Sequence, residues 1–582
     1  MADVSFSEKV ADLYQKVSGA FTVACGLLPG GRFQLATQNV RGVPLRVWKN
    51  LPATLIDYIR PWFKLYAGRE WLVYEGERIT FGEAERQFNA IAAELASTFN
   101  VQPGDRVGIC MRNLPELLIA FLAVISMGGV AVPLNSLWKS EELEYAVTDS
   151  SCKVLIADPK RLELAQSFVA KLGIQTILVR STEAEATEAR ASGVAVWADV
   201  MAAGDAKPTV SINLEAEDEA MIMYTSGSTG FPKGVCHTQR SVGTALKIGE
   251  VVGAVLPEAD SKALMAVPLF HITALSPIAL ASIPNGSAVV MMFKWDAGTA
   301  LDLIAKEKVT RFTGVPTMVR DMLEHPDFDP EKIASLKNML AGGAPVPPSQ
   351  VAKMRKKAKK IKSGQGYGLT ETMAYATAIT GTDYLQHPTS CGRPLPLIVE
   401  IKIKDPTTGK VMKDGERGEV CIKSALVMKS YYNKPEATAK AIDDEGFFRT
   451  GDVGKIVGGF VYLLDRLKDL IIRGGENIDC SEVEAALATN PAVREVSVFG
   501  LPDERLGEVV GACLWVQGDV TAEELRESAA KSLAKFKVPK LENIWLVSQP
   551  LPKGATGKID KKGLRAAYSK EVEMRLPHAK LC

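Results

Sequence analysis

The stretch Tyr224–Val235, YTSGSTGFPKGV, decides the reading of the chain. It follows the apolar run Ala220-Met221-Ile222-Met223, which reads as a buried strand. Thr225, Ser226, Ser228 and Thr229 supply hydroxyls, punctuated by Gly227, Gly230 and Gly234. Glycine lets backbone N–H groups turn inward, hydroxyls add donors, and Lys233 adds a compact positive charge, so the loop suits a polyphosphate. A Walker loop places its Lys between Gly and Ser or Thr. Here Pro232 precedes Lys233 and Gly234 follows it, so that motif is excluded. On these residues alone, a Gly/Ser/Thr surface loop stays open beside a phosphate loop.

Outward from this loop the chain is long. Its 582 residues exceed one compact core, so two or more domains are expected. Hydrophobic content of 47% and charged content of 24% are ordinary for a globular protein. A net charge of +1 gives no field for nucleic acid. Nine cysteines carry no CxxC pair and five histidines no metal-ligand spacing, so neither a disulfide framework nor a zinc site is expected. The N-terminal apolar stretch Ala20–Leu28 follows acidic Asp3 and Glu8, a poor secretory signal. Ala579-Lys580-Leu581 has the form of a peroxisomal address but is followed by Cys582, so a cytoplasmic location is expected, with the peroxisome left open.

From Trp71, strand-like and helix-like runs alternate to about residue 400, which implies parallel βαβ units. Thr80 with Glu83 reads as a helix start, and Ala84 to Phe99 has helical apolar spacing. Residues 181–210, rich in Ala, Glu, Ser and Thr, read as a loosely packed surface excursion. The basic run Lys353–Lys362 reads as a solvated helix face; a site for coenzyme phosphates, or a peripheral contact with an anionic membrane, is the other reading. From Ile401 short strands separated by turns suggest a β-rich closing segment, and after Asp465 the pattern becomes a small α+β unit. The expected fold is α/β: a large domain over residues 1–465, built of βαβ sheets plus that β-rich segment, and a small mobile C-terminal domain over 466–582.

The glycine-rich loop resembles the phosphate-binding signature of the acyl- and aryl-CoA synthetase, luciferase and peptide-synthetase adenylation family, and fatty-acyl-CoA ligases above all. Further ordered motifs extend the resemblance over roughly residues 70 to 570. It implies that a carboxylate attacks the α-phosphate of ATP to give acyl-AMP and pyrophosphate, and that the thiol of coenzyme A then displaces AMP. In Gly366-Tyr367-Gly368-Leu369-Thr370-Glu371 the resemblance puts Tyr367 against adenine, Thr370 on the α-phosphate and Glu371 on Mg2+. Gly342-Gly343-Ala344-Pro345 resembles the segment passing under adenine and acyl group, where glycines allow close approach. Arg449-Thr450-Gly451-Asp452 and Asp465-Arg466 resemble the ribose motifs, with Asp452 accepting from the ribose and Arg466 beside it.

Lys558, in LPKGATGKID, resembles the lysine that bridges carboxylate and α-phosphate during adenylation. Phe270-His271 resembles the aromatic-His pair at the mouth of the acyl pocket, whose walls would be His271, Ile272, Gly342, Gly343 and Gly368. His271 stands where amino-acid-activating relatives carry an Asp, which favours an apolar acid. Leu275 stands where some long-chain members carry a tryptophan gate, which argues against a gated long-chain tunnel. For coenzyme A the resemblance implies Gly474 and Gly475 along the thiol channel, and Phe536 with Lys540 at the nucleotide; Val538 replaces an Arg found there in some members. Lys468 falls at the expected hinge between the domains. Two other functions stay open: an adenylating enzyme that hands acyl-AMP to a carrier or an oxidative fate, and a non-catalytic nucleotide- or lipid-binding scaffold. A homodimer is left open.

Overall fold

The computed structural model describes residues 31–225, 232–255, 260–344, 346, 348–554 and 559–575. Ser226, Gly227, Ser228, Thr229, Gly230 and Lys558 lie outside the described residues, as do Ala20–Leu28 and the C-terminal Ala579–Cys582.

Two large sheets make the body. The first has eight strands, in the order Ser430–Tyr431, Lys233–Thr238, Glu219–Thr225, Val130–Pro133, Arg106–Cys110, Cys152–Ala157, Gln175–Leu178 and Ala195–Val196. The second has nine, from Arg393–Pro394 through Thr377–Thr380, Lys362–Tyr367, Asn338–Gly342, Arg311–Gly314, Lys262–Met265, Ala288–Met291 and Glu70–Tyr74 to Glu77–Thr80. Their central pairings are parallel, as alternating strands and helices require.

Helices fill the space between the sheets. Pro115–Ser126 is apolar on every side and all but one of its residues is buried, as expected for a helix enclosed all round. Phe81–Ser97 lies beside it in the same core, capped by Thr80, whose hydroxyl accepts from Glu83 N at 3.1 Å. The Glu83 carboxylate turns outward to Arg86 and Gln87 and does not close a capping box. Helices Ala297–Glu307, Pro316–Glu324 and Pro348–Lys357 cover the outer face of the nine-stranded sheet; Ser140–Asp149, Pro159–Val169 and Glu183–Ala191 cover that of the eight-stranded one.

Residues 181–210 correct the expectation of a loose excursion. Thr182 and Glu185 form a capping box that starts helix Glu183–Ala191. Ala195–Val196 adds the edge strand, and Trp197–Gly204 buries Trp197 and Val200 toward the main core. The basic run sits on helix Pro348–Lys357 and the turn after it, with Met354 and Ala358 buried and Arg355, Lys356, Lys359 and Lys360 exposed. No described helix is long and apolar enough to cross a membrane. The seven described cysteines are free and buried.

A four-stranded antiparallel sheet (Glu400–Lys404, Gly418–Lys423, Phe448–Val457, Phe460–Arg466) follows. The chain then turns through Leu467–Asp469 into a five-stranded sheet with helices Cys480–Leu487, Ala522–Ala530 and Lys561–Arg575. This last unit has its own core around Ile471, Val483, Val498, Leu514 and Leu525.

Candidate active site

Register brings the glycine motifs together. Strands Asn338–Gly342 and Lys362–Tyr367 run parallel with Gly342 opposite Gly366, so both motifs leave the sheet at the carboxyl ends of adjacent strands. Open α/β sheets place ligands at that edge. Gly343 has φ +77°, and among the described residues a side chain there would meet only Val315, at 3.8 Å. Gly368 is required for another reason: a Cβ would come 2.2 Å from the backbone of Ala374, because the turn after Thr370 folds back on itself. Met373 at φ +56° and Ala374 at φ +65° hold that turn in the left-handed region, a strain that its surroundings must maintain.

Those surroundings come from the phosphate-loop hairpin. Thr225 pairs with Lys233 and closes the loop. Along strand Lys233–Thr238, alternation puts Lys233, Val235 and His237 on one face. His237, fully buried, lies 2.7 Å through Nε2 from the carbonyl of Thr370 and 3.1 Å through Nδ1 from Ser241. Met428 N donates to the carbonyl of Glu371 at 2.8 Å, and the Tyr431 hydroxyl donates to its Oε1 at 2.8 Å. The Lys233 ammonium sits over the Tyr431 ring, 4.8 Å from its centre. Burial pushes the Glu371 carboxyl up, and the Tyr431 hydroxyl and Arg466 charge oppose that shift.

The ribose motifs meet at a second corner. Asp452 pairs with Arg466 across adjacent strands, and Arg466 Nε lies 3.2 Å from Asp452 Oδ1. The Tyr367 hydroxyl donates to Asp452 Oδ2 at 2.6 Å. Behind them the buried Glu419 accepts from Arg449 Nε at 2.9 Å and Gly451 N at 3.0 Å, and Gly451 takes φ +72°. Arg449, Thr450 and Gly451 thus build the backbone that aims Asp452; Thr450 accepts from Asp452 N at 3.0 Å.

On the acyl side, the Phe270 and His271 rings lie 4.5 Å apart, tilted by 54°, and Ile272 joins a core cluster against which Tyr367, Leu369 and Ala374 pack. Buried Asn113 pins the approach to His271 by accepting from Leu269 N at 2.8 Å and donating to Val267 O at 3.1 Å. In the C-terminal unit, Gly474 (φ +59°) and Gly475 (φ +88°) form the exposed tip of a two-residue hairpin, the conformation that such turns need. Phe536 is half-buried against that unit's core; the cation near its ring is Lys537, at 5.8 Å, while Lys540 is exposed beside Glu542. Lys468 is exposed in the turn between the two sheets.

Tyr431, His237 and Asn113 escaped the sequence reading. Each acts on a residue more than 50 positions away, and no local spacing encodes that. The one available signal was the nearness of Tyr431 to the β-rich segment, whose strands were read without their partners.

A family described as AMP-binding enzyme matches residues 60–432, and its C-terminal domain matches 482–558. The chain is 33% identical over 491 residues to a long-chain-fatty-acid–CoA ligase, FadD13, of Mycobacterium tuberculosis, covering 84% of this chain and 93% of that protein. It is 34% identical over 497 residues to a feruloyl-CoA synthase of Amycolatopsis, covering 85% and 94%. The solved o-succinylbenzoate CoA synthetase of Bacillus subtilis, bound to its acyl-adenylate, superposes with TM-score 0.73 at 31% identity over 87% of this chain and 97% of that one. The chain belongs to the AMP-binding enzyme family, as an AMP-forming acid–thiol ligase of the adenylate-forming superfamily.

Proposed function

We propose that the protein activates an apolar carboxylic acid, a fatty or similar acid, as acyl-AMP and then forms its coenzyme A thioester. One observation carries this reading: Lys233, Tyr431 and Glu371 form one contiguous chain of contacts, and the charges of the Asp452–Arg466 pair both bear on Glu371. A cation, a carboxylate for a hard metal and a carboxylate for a ribose thus share the carboxyl edge of the sheets. Asp452 keeps acceptor capacity beyond the two bonds it makes, since a carboxylate offers about four lone-pair sites. In this reading it takes the ribose hydroxyls, Thr370 and Lys233 take the phosphates, and Lys558 bridges acid and α-phosphate.

The Glu371 carboxylate fits Mg2+: Tyr431 occupies Oε1, Oε2 is the hard oxygen offered, and the nucleotide phosphates supply further ligands. Bound there, Mg2+ would neutralise phosphate charge. The chain's own residues hold that carboxylate in place and lower its hydration.

The apolar preference rests on the wall. Between Leu264 and Ile283 no residue is charged, and Phe270, Ile272, Ala274 and Leu275 are buried. A second carboxylate or an amine on the substrate would meet no Asp, Glu, Lys or Arg in that stretch to offset its desolvation. The test is pyrophosphate release with a panel of aliphatic, aromatic and dicarboxylic acids, with and without coenzyme A. Release driven by apolar monoacids, with thioester appearing only when coenzyme A is added, is expected. Release by dicarboxylic acids alone would sink the apolar wall, and adenylate without thioester would sink the second half-reaction.

A further inference from the structure

We propose that Tyr431 is a positioning residue of the adenylation centre: its ring seats the Lys233 ammonium, its hydroxyl fixes the Glu371 carboxylate, and it keeps the two charges from pairing with each other. The inference rests on the function proposed above and concerns how that site is held ready.

The placement follows from strand register. Ser430–Tyr431 forms the edge of the eight-stranded sheet, paired antiparallel with the phosphate strand so that Tyr431 lies opposite Val235. Lys233, two residues before Val235, is the diagonal neighbour on the same face, within reach of a long side chain. The backbone is clamped on both sides of the ring. Lys429 N donates to Cys236 O at 2.8 Å, Tyr432 N to Gly234 O at 2.7 Å, and Tyr431 N to the Thr438 hydroxyl at 3.0 Å. Val235, Val427, Met428 and Phe448 wall the ring, leaving Tyr431 9% exposed. A phenol held this tightly has one direction for its hydroxyl, and Glu371 Oε1 lies along it at 2.8 Å.

The chemistry of the neighbours makes the spacer matter. Glu371 is buried and Lys233 half-buried. With a small side chain at 431, an ammonium and a carboxylate so placed would attract each other strongly in a medium poorer than water. A direct ion pair would spend the lysine needed by phosphate on the carboxylate needed by metal. The tyrosine satisfies both with neutral groups: a ring face for the cation and a hydroxyl donor for the anion. Both remain available when nucleotide and metal arrive.

Two substitutions separate the roles. Tyr431→Phe keeps the ring and drops the hydroxyl; Tyr431→Leu removes both. The readouts are calorimetric binding of metal-free ATP and Mn2+ binding followed by paramagnetic resonance with ATP present, neither of which needs turnover. For Tyr431→Phe, Mn2+ binding should weaken about tenfold, the scale of a lost hydrogen bond to a charged acceptor, while metal-free ATP binds as in the parent. For Tyr431→Leu, metal-free ATP should also weaken by about fivefold, as Lys233 turns to Glu371. Thermal unfolding of the Phe variant should remain a single cooperative transition, lowered by no more than one lost hydrogen bond, which excludes a folding defect. Parental Mn2+ affinity in the Phe variant would overturn the proposal, as would identical ATP affinities in the Leu variant and the parent. If the parent itself binds no ATP, the functional reading fails and the inference with it; if the parent binds and the variants match it, the inference alone fails.

Discussion

His237 is sealed inside the body, and burial lowers its pKa to about 4 from 6.5. A neutral imidazole has one N–H. The Thr370 carbonyl at 2.7 Å takes it from Nε2, which leaves Nδ1 to accept from Ser241. The pH consequence has a fixed sign. Above pH 6.5 neither the folded nor the unfolded chain protonates this residue, and its full contribution is present. As pH falls from 6.5 toward 4 the unfolded chain takes the proton first, so stability falls by roughly 1.4 kcal/mol per unit and levels off below. His237→Gln should remove that slope. Urea unfolding of parent and variant at pH 7, 6 and 5 checks it, since parallel curves would mean that the imidazole is not the group responsible. The same residue shows where sequence reading stops. Thr370 and Glu371 were legible from a motif, but the imidazole that holds their backbone lies on another strand, 133 positions away. Tyr367 shows the converse: its ring was read as a stacking face, while its hydroxyl, invisible to spacing, holds Asp452.

Among elements, long periodic ones were legible and short ones were not. Phe81–Ser97 announces itself by its cap and apolar stripe. Trp197–Gly204 is too short for a period to show, and it exists because it docks on Phe81–Ser97. Gly204 makes that docking: a Cβ there would sit 2.1 Å from the Ala90 carbonyl oxygen. Gly204→Ala should therefore cost about 1–3 kcal/mol, read as a lower urea midpoint; an unchanged midpoint would show that the short helix is not held by this contact. The acyl wall is an element-scale question as well. The resemblance puts Gly343 in that wall, yet at φ +77° any side chain strains the backbone whatever the space. Val315, which begins helix Pro316–Glu324 and faces that glycine, tests the wall without strain. Val315→Phe should shift relative rates toward shorter acids, by about tenfold for acids that reach it. The same chain-length profile in variant and parent would move the pocket elsewhere.

Across the whole molecule the chain divides at the turn carrying Lys468, whose role as pivot remains our proposal. The C-terminal unit touches the body on both sides of that turn. Arg417 bonds Asp479 at 2.9 Å, Cys480 N bonds Asp465, and Ser481 bonds the Leu464 carbonyl. Farther out, Arg320 on helix Pro316–Glu324 reaches Arg494 O at 3.0 Å and Glu495 at 3.4 Å. Glu495 also accepts from Leu551 N at 3.0 Å and Lys553 at 2.7 Å, so it joins the stretch leading to Lys558 to the body. The Gly474-Gly475 tip is exposed in this orientation. The stretch docked through Glu495 is thus the one leading to the lysine proposed for the first half-reaction, while the loop expected for the second is exposed. One rigid docking cannot serve both, and alternation needs contacts made in one orientation only. We propose Arg320 as such a contact; its loss leaves Lys553 to satisfy Glu495, so the C-terminal unit stays folded. A partly exposed pair with an added hydrogen bond stabilises by about 1 kcal/mol, which shifts a two-state balance about fivefold. Arg320→Ala should slow pyrophosphate release about threefold to tenfold, while thioester formation from supplied acyl-AMP holds or rises. Equal slowing of both half-reactions would make Arg320 a general support of the fold. Parental rates in both would mean that the docked orientation seen here does not limit adenylation.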